Sequence, residues 1–311
     1  MQRRWWHSVL AIPVALALTA CGGGEATSSS TGSSSTADRG SVTALDGLTG
    51  YAQQLASTGR VRIGVSYQTP GLGYLAPGSS APTGFEVEVG KIIAGGLGIS
   101  ADKIQWIQVL DSGRDQALTT NAVDMVISSL AMTRSEEQQV GMAGPYYITG
   151  TQLLVRAADQ AAINAATPGP NGNPRLRRMP ISSGQKVCAV SGSTTASTLV
   201  HEFKQQPVLK AAYGDCVGLL QQGTVAAVAG DGAIGMGYAH SSAGALVVAG
   251  DPFTEEKYGV AFPKGMTGMC DFVQRTLLRG YKDGSWLEAF DDTLGQSGVE
   301  SPPEPPAFEP C

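Results

Sequence analysis

The chain has 311 residues, 42% of them hydrophobic, with 21 basic against 26 acidic side chains and a net charge of −5. That length holds two lobes or one large domain, and the acidic balance excludes general nucleic-acid binding through a basic surface.

Arg3 and Arg4 precede an apolar run from Trp5 to Leu18, and Leu18-Thr19-Ala20-Cys21 follows as a lipobox. The run is short of the roughly 20 residues that a spanning helix needs, so residues 1–20 read as a signal peptide outside the fold. Cys21 is then the lipidated first residue of the mature chain, held at the extracellular face of the cell membrane. Loss of Arg3 and Arg4 leaves 19 basic against 26 acidic residues, a net charge of −7. Residues 21–48 are rich in Gly, Ser and Thr without apolar periodicity, which predicts a disordered tether.

From Val61 strand-like and helix-like pieces alternate. Val61–Val65 reads as a strand, Phe85 to Leu97 as a helix and Ile104 to Val109 as a strand. A helix closes over Ala117 to Ala122, and Val123 to Ile127 is the next strand. A second set runs through a strand at Lys186 to Val190, helices at Thr195 to Lys204 and Cys216 to Gln222, a strand at Val225 to Ala229, and a helix after Asp231. Such alternation predicts βαβ units around mainly parallel sheets, in two α/β lobes. Between the sets, residues 157–185 contain Thr167-Pro-Gly-Pro-Asn-Gly-Asn-Pro174 and the cluster Arg175, Arg177 and Arg178, which predicts a flexible, exposed insertion. Tyr258 to Phe262 is a strand able to return the chain to the first lobe, and helices follow at Cys270 to Tyr281 and Trp286 to Leu294. With Cys21 set aside, four cysteines allow three pairings. Cys188 with Cys216 and Cys270 with Cys311 are favoured, because Cys188 lies in a strand and Cys216 opens the next helix. No CxxC-like spacing suggests a metal site, and no cofactor motif is present.

The stretch from Asp124 to Glu136 is the most informative. Asp124-Met-Val-Ile-Ser-Ser-Leu-Ala-Met-Thr-Arg-Ser-Glu136 reads as an apolar strand ending in hydroxyl residues and then a helix start. That places Ser128, Ser129 and Thr133 at the carboxyl end of a strand beside free N–H groups, where open α/β sheets bind small polar ligands. With Gly144-Pro-Tyr-Tyr147 and Gln152 to Val155, it resembles the signature of the extracellular solute-binding proteins of family 3, which serve ABC importers. Gly84-Phe-Glu-Val-Glu88, Gly192-Ser-Thr194 and Lys282-Asp-Gly-Ser-Trp286 are similar to further motifs of that family, in the same order. Gln68 to Gly73, Lys186-Val-Cys188 with Asp215-Cys216, and Pro252 to Glu256 look like its glutamate-binding lipoproteins.

The resemblance implies a two-lobed, type II periplasmic-binding-protein-like α/β fold whose hinge is two crossing strands. Lobe 1 would comprise residues 49–150 and 259–311, and lobe 2 residues 151–258. It implies a monomeric receptor that passes an amine-bearing solute, glutamate-like or another amino acid, to an ABC permease. Asp231 would bind the ammonium group, Ser129 would supply a first-lobe hydroxyl, Tyr67 would lie against the ligand, and Thr194 would remain for a carboxylate. The family's carboxylate-binding arginine falls at Glu136 in this chain, and a hydroxyl position at Ala131. Arg134 and Arg114 are the candidates to restore the positive charge. Glu136 can instead close a capping box on Thr133; that reading is preferred, with a monoamine ligand. Asp231, ahead of a helix, has an N-cap role as its alternative. A sensor working through a membrane partner, or an enzyme using Glu136 and Asp231 as an acid–base pair, are the rival readings. No recognisable hydrolase triad supports the enzyme.

Overall fold

The computed structural model describes residues 42–161, 184–297 and 303–311. The signal segment, Cys21, most of the tether, and most of the 157–185 insertion with its three arginines lie outside the described residues.

The chain enters through α1 (Gly50–Thr58), β1 (Val61–Val65), the hairpin β2 (Gln68–Thr69) and β3 (Gly73–Tyr74), and α2 (Phe85–Gly96). It continues with β4 (Ile104–Gln108), α3 (Arg114–Thr119), β5 (Met125–Val126), α4 (Arg134–Gln139) and β6 (Gly141–Thr149). The second half holds β7 (Thr151–Arg156), β8 (Val187–Val190), α5 (Thr194–His201), β9 (Val208–Lys210) and α6 (Tyr213–Gln221). After these come β10 (Ala227–Asp231), α7 (Gly232–Ser241) and β11 (Leu246–Ala249). The chain closes with β12 (Glu256–Phe262), α8 (Met269–Asp283) and α9 (Ser285–Asp291).

The strands form two five-stranded sheets, ordered β4-β1-β5-β12-β6 and β11-β7-β10-β8-β9. Within each, two strand pairings are parallel, as βαβ connections require, and two are antiparallel, because one strand, β12 or β7, runs against the other four. The sheets are therefore mixed, where the strand–helix alternation predicted mainly parallel ones. Alternation reports crossovers, and it is silent about strands that follow each other directly. β6 runs into β7 through the single residue Gly150, and β12 pairs with β6 from Glu256 opposite Thr149 to Phe262 opposite Gly141. These adjacent strands join the two sheets.

Apolar burial explains the layers. Phe85, Tyr146, Tyr147, Trp286 and Phe290 meet in one aromatic core, with Phe85 edge-on to Trp286 at 5.8 Å between ring centroids. The Trp286 indole N–H donates to the Tyr146 carbonyl at 2.9 Å, so its polar edge is satisfied inside. Both faces of the second sheet are covered, by Leu199 of α5 on one side and Cys216, Val217 and Leu220 of α6 on the other. Disulfides join Cys188 of β8 to Cys216 of α6, and Cys270 of α8 to Cys311. The end of the expected tether is docked: Leu45 and Leu48 pack on the aromatic core, and the Leu45 N–H donates to the Gly96 carbonyl at 2.9 Å. Its low-complexity composition gives way to apolar residues at Val42, and those residues find a surface.

Candidate functional site

A cavity of about 250 Å3 lies where the carboxyl ends of the parallel strands of both sheets converge. Its wall is made by the turns after β4 (Asp111 to Asp115), β5 (Ser129 to Ala131), β8 (Val190 to Thr195) and β10 (Gly230, Asp231), with Glu136 and Tyr213. Drug-sized pockets run to roughly 300–1,000 Å3, so this cavity suits a smaller solute.

Ser129 stands in the left-handed region at φ 46°, and both its N–H and its hydroxyl donate to Oε1 of Glu86, the latter at 2.7 Å. The Tyr146 hydroxyl donates to the same oxygen at 2.8 Å. Glu86 is fully buried, and burial pushes its carboxyl up to about 7 in spite of these bonds. The carboxylate thus fixes the turn that presents Ser129.

Asp231 is 9% exposed at the junction of β10 and α7. It occupies the N-cap position, yet its side chain accepts no hydrogen bond from the helix. Its Oδ2 accepts from the Tyr258 hydroxyl at 2.7 Å. Burial raises its carboxyl to about 6, against the opposing pull of Tyr258 and Arg114. A carboxylate that leaves its own helix uncapped and lines a cavity is available to a cation.

Arg114, the first residue of α3, is buried and lines the cavity. Its Nη1 donates to the Ser128 carbonyl at 2.6 Å, its Nε to the Asp111 carbonyl at 3.0 Å, and its Nη2 pairs with Asp111 Oδ1 at 3.1 Å. Across the cavity α5 presents its N-terminus. Ser193 caps it, accepting from the Ala196 N–H at 3.1 Å. The Thr194 hydroxyl is bonded to the carboxylate of Glu256, which burial lifts to about 7.

The expected residues divide. Arg114, Ser129, Glu136, Thr194 and Asp231 line the cavity, whereas Tyr67, Thr133 and Arg134 do not. Thr133 is occupied as an N-cap, its hydroxyl accepting from the Glu136 N–H at 3.2 Å, and Arg134 is exposed on the first turn of α4. Tyr67 precedes the β2–β3 hairpin, which leans on α7 through a hydrogen bond from the Tyr238 hydroxyl to the Gln68 carbonyl.

The capping reading of Glu136 holds for its backbone and not for its side chain. Only half of the capping box forms, because the Glu136 side chain faces Asp115 rather than the Thr133 amide. Burial and then the facing Asp115 carboxylate push Glu136 above the usual carboxylate range. Its Oε2 is shielded from solvent with no hydrogen-bond partner, as is Asp115 Oδ1. Sequence reading missed Asp111, Asp115, Tyr258 and Glu256 as wall or supporting residues. The spacing Asp111-Ser-Gly-Arg114-Asp115 carried a signal, an i,i+3 acid–arginine pair at a strand end.

The model of the bacterial extracellular solute-binding proteins, family 3, matches residues 61–296. The chain belongs to that family. Its relatives include the glutamate-binding protein GluB of Corynebacterium efficiens, 28% identical over 249 residues that span 76% of this chain and 80% of the relative. The ABC transporter glutamine-binding protein GlnH of Bacillus subtilis is 24% identical, covering 78% of this chain and 83% of the relative. Among solved structures, the solute receptor for L-cysteine of Neisseria gonorrhoeae superposes with a TM-score of 0.68 at 21% identity, over 81% of this chain and 97% of the other. An ancestral arginine-binding protein bound to glutamine gives 0.64 at 23% identity, over 76% and 98%. These likenesses establish the type II binding-protein fold of this solute-binding protein. Among the described residues no helix is long and apolar enough to cross a membrane.

Proposed function

We propose that this solute-binding protein is the receptor of an ABC importer, capturing an amine-bearing small solute of amino-acid size and presenting it to a membrane permease as a lipid-anchored monomer. The observation that carries the reading is Asp231: nine-tenths buried, uncapping, held by Tyr258 and lining a cavity shared by both sheets. An ammonium group at Asp231 and Ser129 would restore the interactions that burial removes. The N-terminus of α5 and the Thr194 turn, with Arg114, form the electropositive wall for a carboxylate. The names of the GluB and GlnH relatives support an amino acid, and the lipobox at Cys21 supports the anchor.

A thermal-shift screen of amino acids, amides and polyamines tests the proposal, since a solute that binds only the native state raises the unfolding temperature. Asp231→Ala is expected to weaken the best solute by roughly 2 to 5 kcal/mol; unchanged affinity would remove the amine site. Affinity for a cation should also fall as pH drops through about 6, where Asp231 takes up a proton. Cys21→Ser should release the protein from membranes, and continued retention would show that the apolar segment is the anchor.

A further inference from the structure

The cavity carries more negative charge than a simple amino acid needs. Four carboxylates line it, from Asp111, Asp115, Glu136 and Asp231, against one guanidinium, Arg114. Asp111 is paired with Arg114 at 3.1 Å, and Asp231 is the candidate amine site. Asp115 and Glu136 are left over. Each keeps one oxygen out of solvent without a hydrogen-bond partner, and each faces the other. Two carboxylates set against each other at a cavity wall are mutually unfavourable unless a cation or a proton lies between them.

Each stands in the first turn of a short helix, where a carboxylate meets the positive end of the dipole, but that role does not require the two to be set against each other. Thr133 caps α4 without help from the Glu136 side chain, and Arg114 of the same helix as Asp115 turns to Ser128 and Asp111. A metal ion is a poor fit to the pair, because among the described residues no group of three or more acidic, His or Cys side chains is placed to hold one. An organic cation needs only the two carboxylates: an ammonium can sit between them, and a guanidinium can fork to one while touching the other.

We infer that the solute carries a second cationic group, an ammonium or a guanidinium, which is seated between Asp115 and Glu136 while its amine meets Asp231. The pair then selects against solutes with a carboxylate at that end, glutamate among them, and against neutral amides, which leave both charges uncompensated. This inference rests on the receptor reading and names the solute class for it.

The test uses the intact chain and calorimetric titration with L-arginine, L-ornithine, putrescine, L-glutamine and L-glutamate, on the wild type and on Glu136→Gln, Asp115→Asn and Asp231→Asn. The unliganded unfolding temperature of each variant reports folding. The probes with two cationic groups should bind at least about tenfold tighter than L-glutamine. Glu136→Gln and Asp115→Asn should each cost the best of them about tenfold or more and should strengthen L-glutamine, because each removes a charge that an amide leaves uncompensated. Glu136→Asp, which keeps the charge, should keep the order of preference. If L-glutamine or L-glutamate binds most tightly, or if Glu136→Gln leaves the two-cation probe unaffected, the inference falls while Asp231-dependent binding preserves the receptor. Absence of binding by every probe would overturn both.

Discussion

Glu86 shows how one buried side chain shapes both the site and the stability of the protein. It accepts three hydrogen bonds on Oε1, two of them from Ser129, and leaves Oε2 buried without a partner. Its carboxyl is raised from 4.5 to about 7, chiefly by burial. A group raised on folding contributes stability that is complete below its unfolded value and is lost as pH rises through its folded value. Wild type should therefore lose stability between pH 5 and pH 8, and Glu86→Gln should shrink that loss by about 2 to 3 kcal/mol. Chemical denaturation at both pH values checks it, and an unaltered pH dependence would show that the carboxyl is not held proton-rich. Asp231 and Glu256, raised to about 6 and about 7, add to the same slope and remain in the variant.

At the scale of elements, α7 approaches the β2–β3 hairpin closely. α7 packs on the second sheet through β7 and β11, and the hairpin belongs to the chain that enters the first. Their contact includes the Tyr238 hydroxyl on the Gln68 carbonyl, and a Cβ placed on Gly237 would lie 1.8 Å from the Pro70 carbonyl oxygen. Only glycine allows that approach, whereas a helix would otherwise gain from alanine by about 1 kcal/mol. Gly237→Ala should hold the two elements apart. We expect a loss of solute affinity of about 1 to 3 kcal/mol with the unliganded unfolding temperature little lowered, because each sheet keeps its own core. Calorimetry beside thermal denaturation separates the two effects; unchanged affinity would mean that this contact does not form part of the bound state.

Across the whole molecule, the C-terminal tail ties down the strands that connect the sheets. Cys311 is bonded to Cys270 of α8, Phe308 stacks on Tyr281, and Glu309 pairs with Lys257 of β12 while its N–H donates to the Gly144 carbonyl of β6 at 2.9 Å. The tail therefore touches both connecting strands from outside the cavity. Cys311→Ser should lower stability by about 2 to 4 kcal/mol, in keeping with the long loop that the bond closes. Urea unfolding of the variant against the oxidised wild type measures it, and equal midpoints would show that the ion pair and the stack suffice to hold the tail.

The amino-acid sequence by itself determined the two α/β sets and the family, whose motifs occur in order; Asp231 and Ser129 as an amine site came only with that resemblance. The α/β sets follow from apolar periodicity, and the ligand-binding turn from hydroxyl residues at a strand end. The sequence could not show that the sheets are mixed, since antiparallel pairing of β6 with β12 and of β7 with β10 and β11 joins segments far apart in the chain. Nor could it decide what Glu136 does. Thr133-Arg-Ser-Glu136 satisfies the capping pattern locally, and half of that box exists. The other half is lost because folding sets Asp115 of α3 against Glu136 of α4, and a side chain's direction is decided by what surrounds it rather than by its spacing from a cap. The same holds for Asp231, whose position reads as an N-cap in the sequence, while the Tyr258 hydroxyl from β12 and the cavity claim its carboxylate in the folded chain.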